Sequence, residues 1–195
     1  MNYLLPVMIV LCPLLVLQAQ EYDSVGPMGA YGVDYALVEK DGLYGFIDKK
    51  GKEIVSPQYD EIQAYGAYGI DWALVIKDGL HGFIDKKGRE IVPPKYEEIQ
   101  SFGPYGINWA LVMKNGKVGF IDENGTEIVP TKYDQVGPFD VYGIEWAVVV
   151  DRGMMGFIDK KGREVVTPKY DDVSTFGGYN GNVAVVQKSG YFGFI

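Results

Sequence analysis

The chain has 195 residues and a formal net charge of −8 at pH 7, so it has no electrostatic reason to bind the phosphates of nucleic acid. Cys12 is the only cysteine and His81 the only histidine. Because Cys12 lies in the amino-terminal segment that is expected to be removed, the exported chain has no thiol for zinc binding or catalysis. A single histidine also removes the commonest general base and metal ligand from consideration. We therefore expect no nucleic-acid partner, no cofactor and no enzymatic activity.

The first nineteen residues differ in composition from everything that follows. Residues 1–19 carry no charged side chain, and their apolar run from Leu4 to Leu17 is shorter than the roughly 20 residues of a membrane-spanning helix. Because Ala19 offers a small residue for cleavage, we predict an export signal and a mature chain that begins near Gln20. Such a protein is periplasmic, at the cell surface or extracellular. The alternative is that the segment is retained as a membrane anchor.

One unit of sequence recurs along the rest of the chain every 37 residues. The triplet Gly-Phe-Ile marks its five copies, at Gly45, Gly82, Gly119, Gly156 and Gly193. Before each triplet stands a Tyr that is itself followed by acidic or polar residues and then an aliphatic residue. These repeat Tyr residues are Tyr22, Tyr59, Tyr96, Tyr133 and Tyr170. A fixed period is the signature of a repeat array. We predict one repeat domain over residues 20–195, whose units start near these Tyr residues and whose last unit is incomplete.

Each unit begins with a loop that contains a second Tyr. These loop residues form a column at Tyr31, Tyr68, Tyr105, Tyr142 and Tyr179. Tyr in a loop is an amphipathic contact residue that loses little conformational entropy on binding. We predict that the column binds a protein or glycan partner. The alternative is that the rings cap the stack of strands.

A β-hairpin follows the loop in every unit. In the second unit its first strand is Trp72-Ala-Leu-Val-Ile and its second is His81-Gly-Phe-Ile-Asp, both rich in β-branched and aromatic residues. The pair Asp78-Gly79 between them is the type of two-residue turn that hairpins prefer. The Gly inside the second strand predicts a bulge or a close approach of another backbone.

A second turn and a short third strand complete the unit. In the second unit the turn is Lys86-Lys87-Gly88, and the strand begins at Glu90 and is expected to end at Pro93 and Pro94. A hairpin and one further strand cannot bury their own aromatic residues, so neighbouring units must stack. We predict an all-β fold, an open twisted array of about five β-hairpin repeats. A closed five-bladed propeller is the alternative, disfavoured because 37 residues are few for a blade of about 40 to 45.

The series KDGLHGFIDKKGREIVPPKYEEI at residues 77–99 resembles the WG-repeat family, whose unit runs roughly as Gly-x-Trp-Gly-Phe/Tyr-Ile-Asp, a turn Gly, Ile-Val-Pro and Tyr-Asp. The resemblance extends from about Tyr22 to the end of the chain. At the position of the family's Trp this chain has Tyr44, His81, Val118, Met155 and Phe192, which indicates a packing role for the column. The resemblance implies a bacterial, often exported protein with an interaction role and no known shared activity.

Carboxylates form three further columns, at Asp48, Asp85, Asp122 and Asp159, at Glu53, Glu90, Glu127 and Glu164, and in the acidic residues behind each repeat Tyr. Stacked carboxylates could hold calcium, but the Gly-rich nonapeptide of calcium solenoids is missing, and Asp in a turn commonly accepts backbone hydrogen bonds. A hydrolase needs two carboxyls in different environments, and the carboxylates of this chain repeat in equivalent positions.

We predict a non-catalytic binding or scaffolding module for protein or envelope-surface partners. Carbohydrate or calcium binding is the alternative, and a hydrolase is a more distant one.

Overall fold

The computed structural model describes residues 22–178 and 183–195. In those ranges the regular secondary structure consists of β-strands, without a helix. The all-β prediction is confirmed. The predicted export signal at residues 1–19 and Tyr179 lie outside the described residues. In the described part of the chain there is no helix with the length and apolar character that crossing a membrane requires.

The strands form five antiparallel sheets, in each of which neighbouring strands follow one another along the chain. The first sheet contains β1 (Ser24–Val25), β2 (Tyr35–Lys40), β3 (Leu43–Asp48) and β4 (Glu53–Tyr59). The second contains β5 (Glu61–Ile62), β6 (Ala73–Lys77), β7 (Leu80–Ile84) and β8 (Glu90–Tyr96). The third contains β9 (Glu98–Ile99), β10 (Ala110–Lys114), β11 (Lys117–Ile121) and β12 (Glu127–Tyr133). The fourth contains β13 (Gln135–Val136), β14 (Trp146–Asp151), β15 (Met154–Asp159) and β16 (Glu164–Tyr170), and the fifth β17 (Asp172–Val173), β18 (Val185–Lys188) and β19 (Tyr191–Phe194).

The predicted hairpin forms the centre of each sheet. In the second sheet β6 pairs with β7 from Ala73 opposite Ile84 to Lys77 opposite Leu80. The two residues of the turn, Asp78 and Gly79, both have positive φ, at 52° and 73°, as the hairpin turn favoured by Asp-Gly requires. The structure confirms the hairpin and its turn.

The Gly of the triplet brings the second and third strands of each sheet into close contact. The register between β7 and β8 shifts on either side of Phe83. A Cβ added to Gly82 would lie 2.5 Å from the carbonyl oxygen of Val92 and 2.7 Å from the nitrogen of Pro94. Both the predicted bulge and the predicted close approach are therefore confirmed.

The expectation that prolines end the third strand is wrong. The strand β8 continues through Pro93 and Pro94 to Tyr96, and it is the outer strand of its sheet. An edge strand tolerates proline because the missing N–H can face away from the ladder. The repeat Tyr is consequently the last residue of a sheet, and the next sheet begins two residues later.

The hydrophobic core lies at the junctions between successive sheets. At the first junction Phe46, Val55 and Tyr59 of one sheet pack with Ile62 and Val75 of the next. The hydroxyl of Tyr59 donates to Oε1 of Glu90 across this junction at 2.9 Å, and the equivalent bonds join Tyr96 to Glu127 and Tyr133 to Glu164. The described sheets stack in chain order and none is closed into a barrel, so the predicted open array is confirmed.

Candidate functional site

The Tyr column predicted to bind a partner lies at the junctions between sheets. The carbonyl oxygen of Tyr31 accepts a hydrogen bond from the backbone N–H of Tyr65 at 3.0 Å. The same bond recurs 37 residues further along at each later junction, from Phe102 to Tyr68, from Phe139 to Tyr105 and from Phe176 to Tyr142. The Gly behind each Tyr has positive φ, and the loop of one sheet is thereby fastened to the loop of the next.

The rings of this column rest on the core. Each ring meets the triplet Phe of its own sheet edge-on, with centroids between 5.1 and 5.6 Å apart, in the pairs Tyr31–Phe46, Tyr68–Phe83, Tyr105–Phe120 and Tyr142–Phe157. All four Tyr side chains are half-buried. They therefore contribute to packing and keep part of each ring at the surface. Partner binding by the column stays a prediction.

Two of these Tyr residues line grooves between neighbouring sheets. The first groove has a volume of about 450 Å³ and is lined by Tyr31, Leu37, Tyr44, Asp60, Glu61 and Ile62. The third groove, of about 310 Å³, is lined by Glu98, Gln100, Tyr105, Leu111, Met113, Val118, Asp134, Gln135 and Val136. Six residues of the third groove stand two repeats after the six of the first. The same groove therefore occurs at two junctions of the array.

A position at which all five copies differ lines these grooves. It is occupied by Tyr44 in the first groove and by Val118 in the third, and by His81 and Met155 in the units between and after them. Tyr44 and Val118 also pack against the core clusters, in agreement with the packing role. His81 is half-buried, with Nδ1 3.4 Å from the carbonyl oxygen of Tyr96. In each of the two grooves a Tyr that is constant between repeats therefore lies beside a position that varies, as Tyr31 does beside Tyr44 and Tyr105 beside Val118.

The charges of the two grooves differ. In the third groove Oδ1 of Asp134 lies 2.6 Å from Nζ of Lys117, which also contacts Asp151 at 3.3 Å. The Lys117 ammonium lowers the pKa of Asp134, and the two carboxylates raise the pKa of Lys117. In the first groove Asp60 and Glu61 form no ion pair with any described residue. Asp60 accepts the N–H of Asp78 at 2.6 Å, and Glu61 accepts from Gln63 at 3.0 Å.

The Asp column at the end of the second strand of the first four hairpins stabilises the turn that follows it. Oδ1 of Asp85 accepts the backbone N–H groups of Lys87 and Arg89 at 2.8 and 3.0 Å, so the predicted role of this column in the turn is confirmed. Burial would raise the pKa of Asp85, but the hydrogen bonds from Arg89 and Lys87 outweigh it and lower that pKa. Residues 22–178 and 183–195 bring together no group of three His, Cys, Asp or Glu side chains fit for a metal ion.

Two features of the junctions are not among the predictions made from the sequence. The hydrogen bond from Tyr59 to Glu90 joins residues 31 positions apart. The signal for this bond is the constant offset of 31 residues between the Tyr and Glu columns. The grooves left no comparable signal, because each is assembled from residues of two successive sheets.

Comparison with known families agrees with this architecture. A family model described as WG containing repeat matches residues 44–80, 82–117, 119–153 and 155–192. The protein belongs to the WG containing repeat family. The match is to a type of repeat and not to a catalytic family, and no curated protein matches the chain. The first WG repeat runs from Tyr44 through Asp60, Glu61 and Ile62, so one repeat carries four of the six residues that line the first groove.

Proposed function

We propose that this WG repeat protein is a non-catalytic binding module that holds a protein partner in the grooves between its sheets. The observation that carries the proposal is the recurrence of one groove with a constant Tyr and a variable neighbour. Constant residues supply a common contact surface, and a variable residue beside them gives each groove its own specificity.

The rigidity of the junctions supports binding. Successive loops are joined by the hydrogen bonds between Tyr31 and Tyr65 and their equivalents, and the turn of each sheet packs tightly on its predecessor. A Cβ added to Gly125, for example, would lie 3.0 Å from the carbonyl oxygen of Ile91. A groove whose walls are held in this way loses little conformational entropy when a partner binds.

The variable position provides the test. The partner is first isolated from a native extract with residues 20–195, and its affinity for purified variants is then measured by calorimetry. Because Val118 occupies the same position in the third unit, Tyr44→Val is compatible with the fold. We expect it to weaken binding about tenfold, or roughly 1.4 kcal/mol, with little change in melting temperature.

Two further variants complete this experiment. Tyr191→Ser removes an aromatic side chain that is 81% exposed and lies outside the grooves, and it should leave the affinity unchanged. The joint substitution of Tyr68, Tyr105 and Tyr142 by Phe keeps the ring contacts with the core and tests the hydroxyl groups alone. Equal affinity of the wild type, Tyr44→Val and this triple variant would refute the proposal.

We further propose that the protein acts outside the cytoplasm, on the strength of the uncharged apolar segment at residues 1–19. The expected result is an exported chain whose amino terminus lies near Gln20. Mass spectrometry of the protein recovered from the periplasm or medium measures this directly. An intact chain found only in the cytoplasm would contradict it.

A further inference from the structure

We propose that the first groove, lined by Tyr31, Leu37, Tyr44, Asp60, Glu61 and Ile62, binds a lysine side chain of an extended segment of the partner protein. This inference rests on the proposed function and specifies the chemistry of the partner. It follows from the apolar and aromatic lining of the groove, from the carboxylates at its edge, and from what the chain itself places at the corresponding carboxylate two repeats later.

The lining suits both parts of a lysine side chain. Leu37 and Ile62 offer an apolar surface to the four methylene groups of the stem, which lysine commonly buries while its ammonium stays near water. Tyr31 and Tyr44 add two aromatic rings, whose faces attract a cation. Asp60 and Glu61 stand on the other wall, and their charges are not balanced by an ion pair with any residue in the described ranges.

The third junction shows an ammonium at the equivalent carboxylate. There Nζ of Lys117 lies 2.6 Å from Oδ1 of Asp134, and Asp134 is the counterpart of Asp60. At the first junction the counterpart of Lys117 is Leu43, which carries no charge. The third junction thus supplies its own cation, and the first leaves that contact to a partner.

The neighbouring charges favour a cation at the first groove. Glu39 pairs with Tyr44 across β2 and β3 and adds a third carboxylate on that side of the sheet, where its Oε2 accepts a hydrogen bond from Ser24 at 3.0 Å. Lys77 stands at the position of Asp151 and forms no ion pair with Asp60. Three carboxylates therefore lie around the groove, against the amines of Lys77 and of Lys40, which stands opposite Leu43 across β2 and β3. The third junction has Gln135 where the first has Glu61.

Calorimetric titration of the protein with a synthetic peptide of alternating lysine and serine tests this inference. We expect the peptide to bind, and the same peptide with acetylated lysines to bind at least tenfold more weakly, because acetylation removes the charge. Glu61→Gln and Leu43→Lys should each weaken binding of the lysine peptide about tenfold. In Leu43→Lys the chain's own ammonium takes the place of the peptide's, as at Lys117.

Two controls separate the groove from general attraction to an acidic protein. Glu145→Gln makes the same change of charge at a side chain that is 83% exposed and lies in a loop, and it should leave the affinity unchanged. Lys117→Leu frees Asp134 and should strengthen binding or add a site. Equal binding of the acetylated peptide, or equal losses in Glu61→Gln and Glu145→Gln, would overturn the inference.

The natural partner distinguishes this inference from the proposed function. If Tyr44→Val weakens partner binding while Leu43→Lys does not, and the lysine peptide fails to compete, the groove binds a partner of other chemistry and the lysine inference alone is refuted. If all of these variants bind the partner as the wild type does, both proposals are refuted. Competition by the lysine peptide together with weaker binding by Leu43→Lys supports both.

Discussion

Replacement of Gly82 by Ala is expected to lower the free energy of unfolding by about 3 kcal/mol or more, at the upper end of what overpacking costs. The added methyl group would lie 2.5 Å from the carbonyl oxygen of Val92 and 2.7 Å from the nitrogen of Pro94. Both are backbone atoms, so no change of side-chain rotamer relieves the contact, and β7 and β8 must separate. Urea denaturation followed by Trp fluorescence measures the loss.

The chain contains a matched control for this substitution. Gly193 occupies the same place in the last triplet, but the nearest atom to an added Cβ there is a methyl group of Val186 at 3.8 Å. Gly193→Ala should therefore change the free energy of unfolding by less than about 0.5 kcal/mol, as an unobstructed surface substitution does. Similar losses in the two variants would show that the close approach of the strands is not what requires Gly.

Raising the pH above about 10 is expected to unfold the protein steeply, because its buried Tyr residues ionise more readily in the unfolded chain. Burial raises the pKa of Tyr59, Tyr96 and Tyr133, and the hydrogen bonds that they donate to Glu90, Glu127 and Glu164 raise it further. Burial also raises the pKa of Tyr65. The stability that these groups provide is complete below the unfolded pKa of about 10 and is lost as the pH rises towards the folded pKa.

The size of the effect follows from linkage. Each Tyr that is ionised in the unfolded chain and neutral in the folded one lowers the free energy of unfolding by about 1.4 kcal/mol per pH unit. Four such residues together give roughly 5 to 6 kcal/mol per unit, a large share of the roughly 5 to 15 kcal/mol of a typical domain. Urea midpoints at closely spaced pH values between 8 and about 11.5 measure the slope against the linkage expectation.

Removal of one hydroxyl group provides the control for the pH experiment. Tyr96→Phe should reduce the slope above pH 10 by about 1.4 kcal/mol per unit, and a second substitution at Tyr133 should reduce it by the same amount again. At neutral pH each variant should lose about 1 kcal/mol through the missing hydrogen bond. A slope that stays the same after both substitutions would contradict the assignment of the alkaline transition to these residues.

Much of the fold could be predicted from the sequence because its signals are local. The turn at Asp78 and Gly79 depends only on the φ angles that those two residues adopt readily. The alternation of short apolar strands and turns, repeated five times, is sufficient for an all-β array. The Gly of each triplet likewise predicts that another backbone segment lies close to it, although it does not indicate which strand supplies that segment.

The course of the third strand could not be predicted in the same way. Proline ends a central strand, and only the position of β8 at the edge of its sheet explains why Pro93 and Pro94 lie within it. Whether a strand lies at an edge depends on the order of the whole sheet. For the same reason the sequence predicts the repeat Tyr at the start of a unit, whereas Tyr59 is the last residue of the first sheet.

The period, the two hairpin strands, the turn between them and membership of the WG containing repeat family follow from the sequence, since each depends on residues close together in the chain. Which columns meet across a junction is visible only in the folded chain. The fold joins Tyr59 to Glu90 and brings Tyr31 and Tyr44 of one sheet together with Asp60 and Glu61 of the next. These contacts depend on how one sheet is rotated and offset on its neighbour, and side-chain packing at the junction sets that geometry.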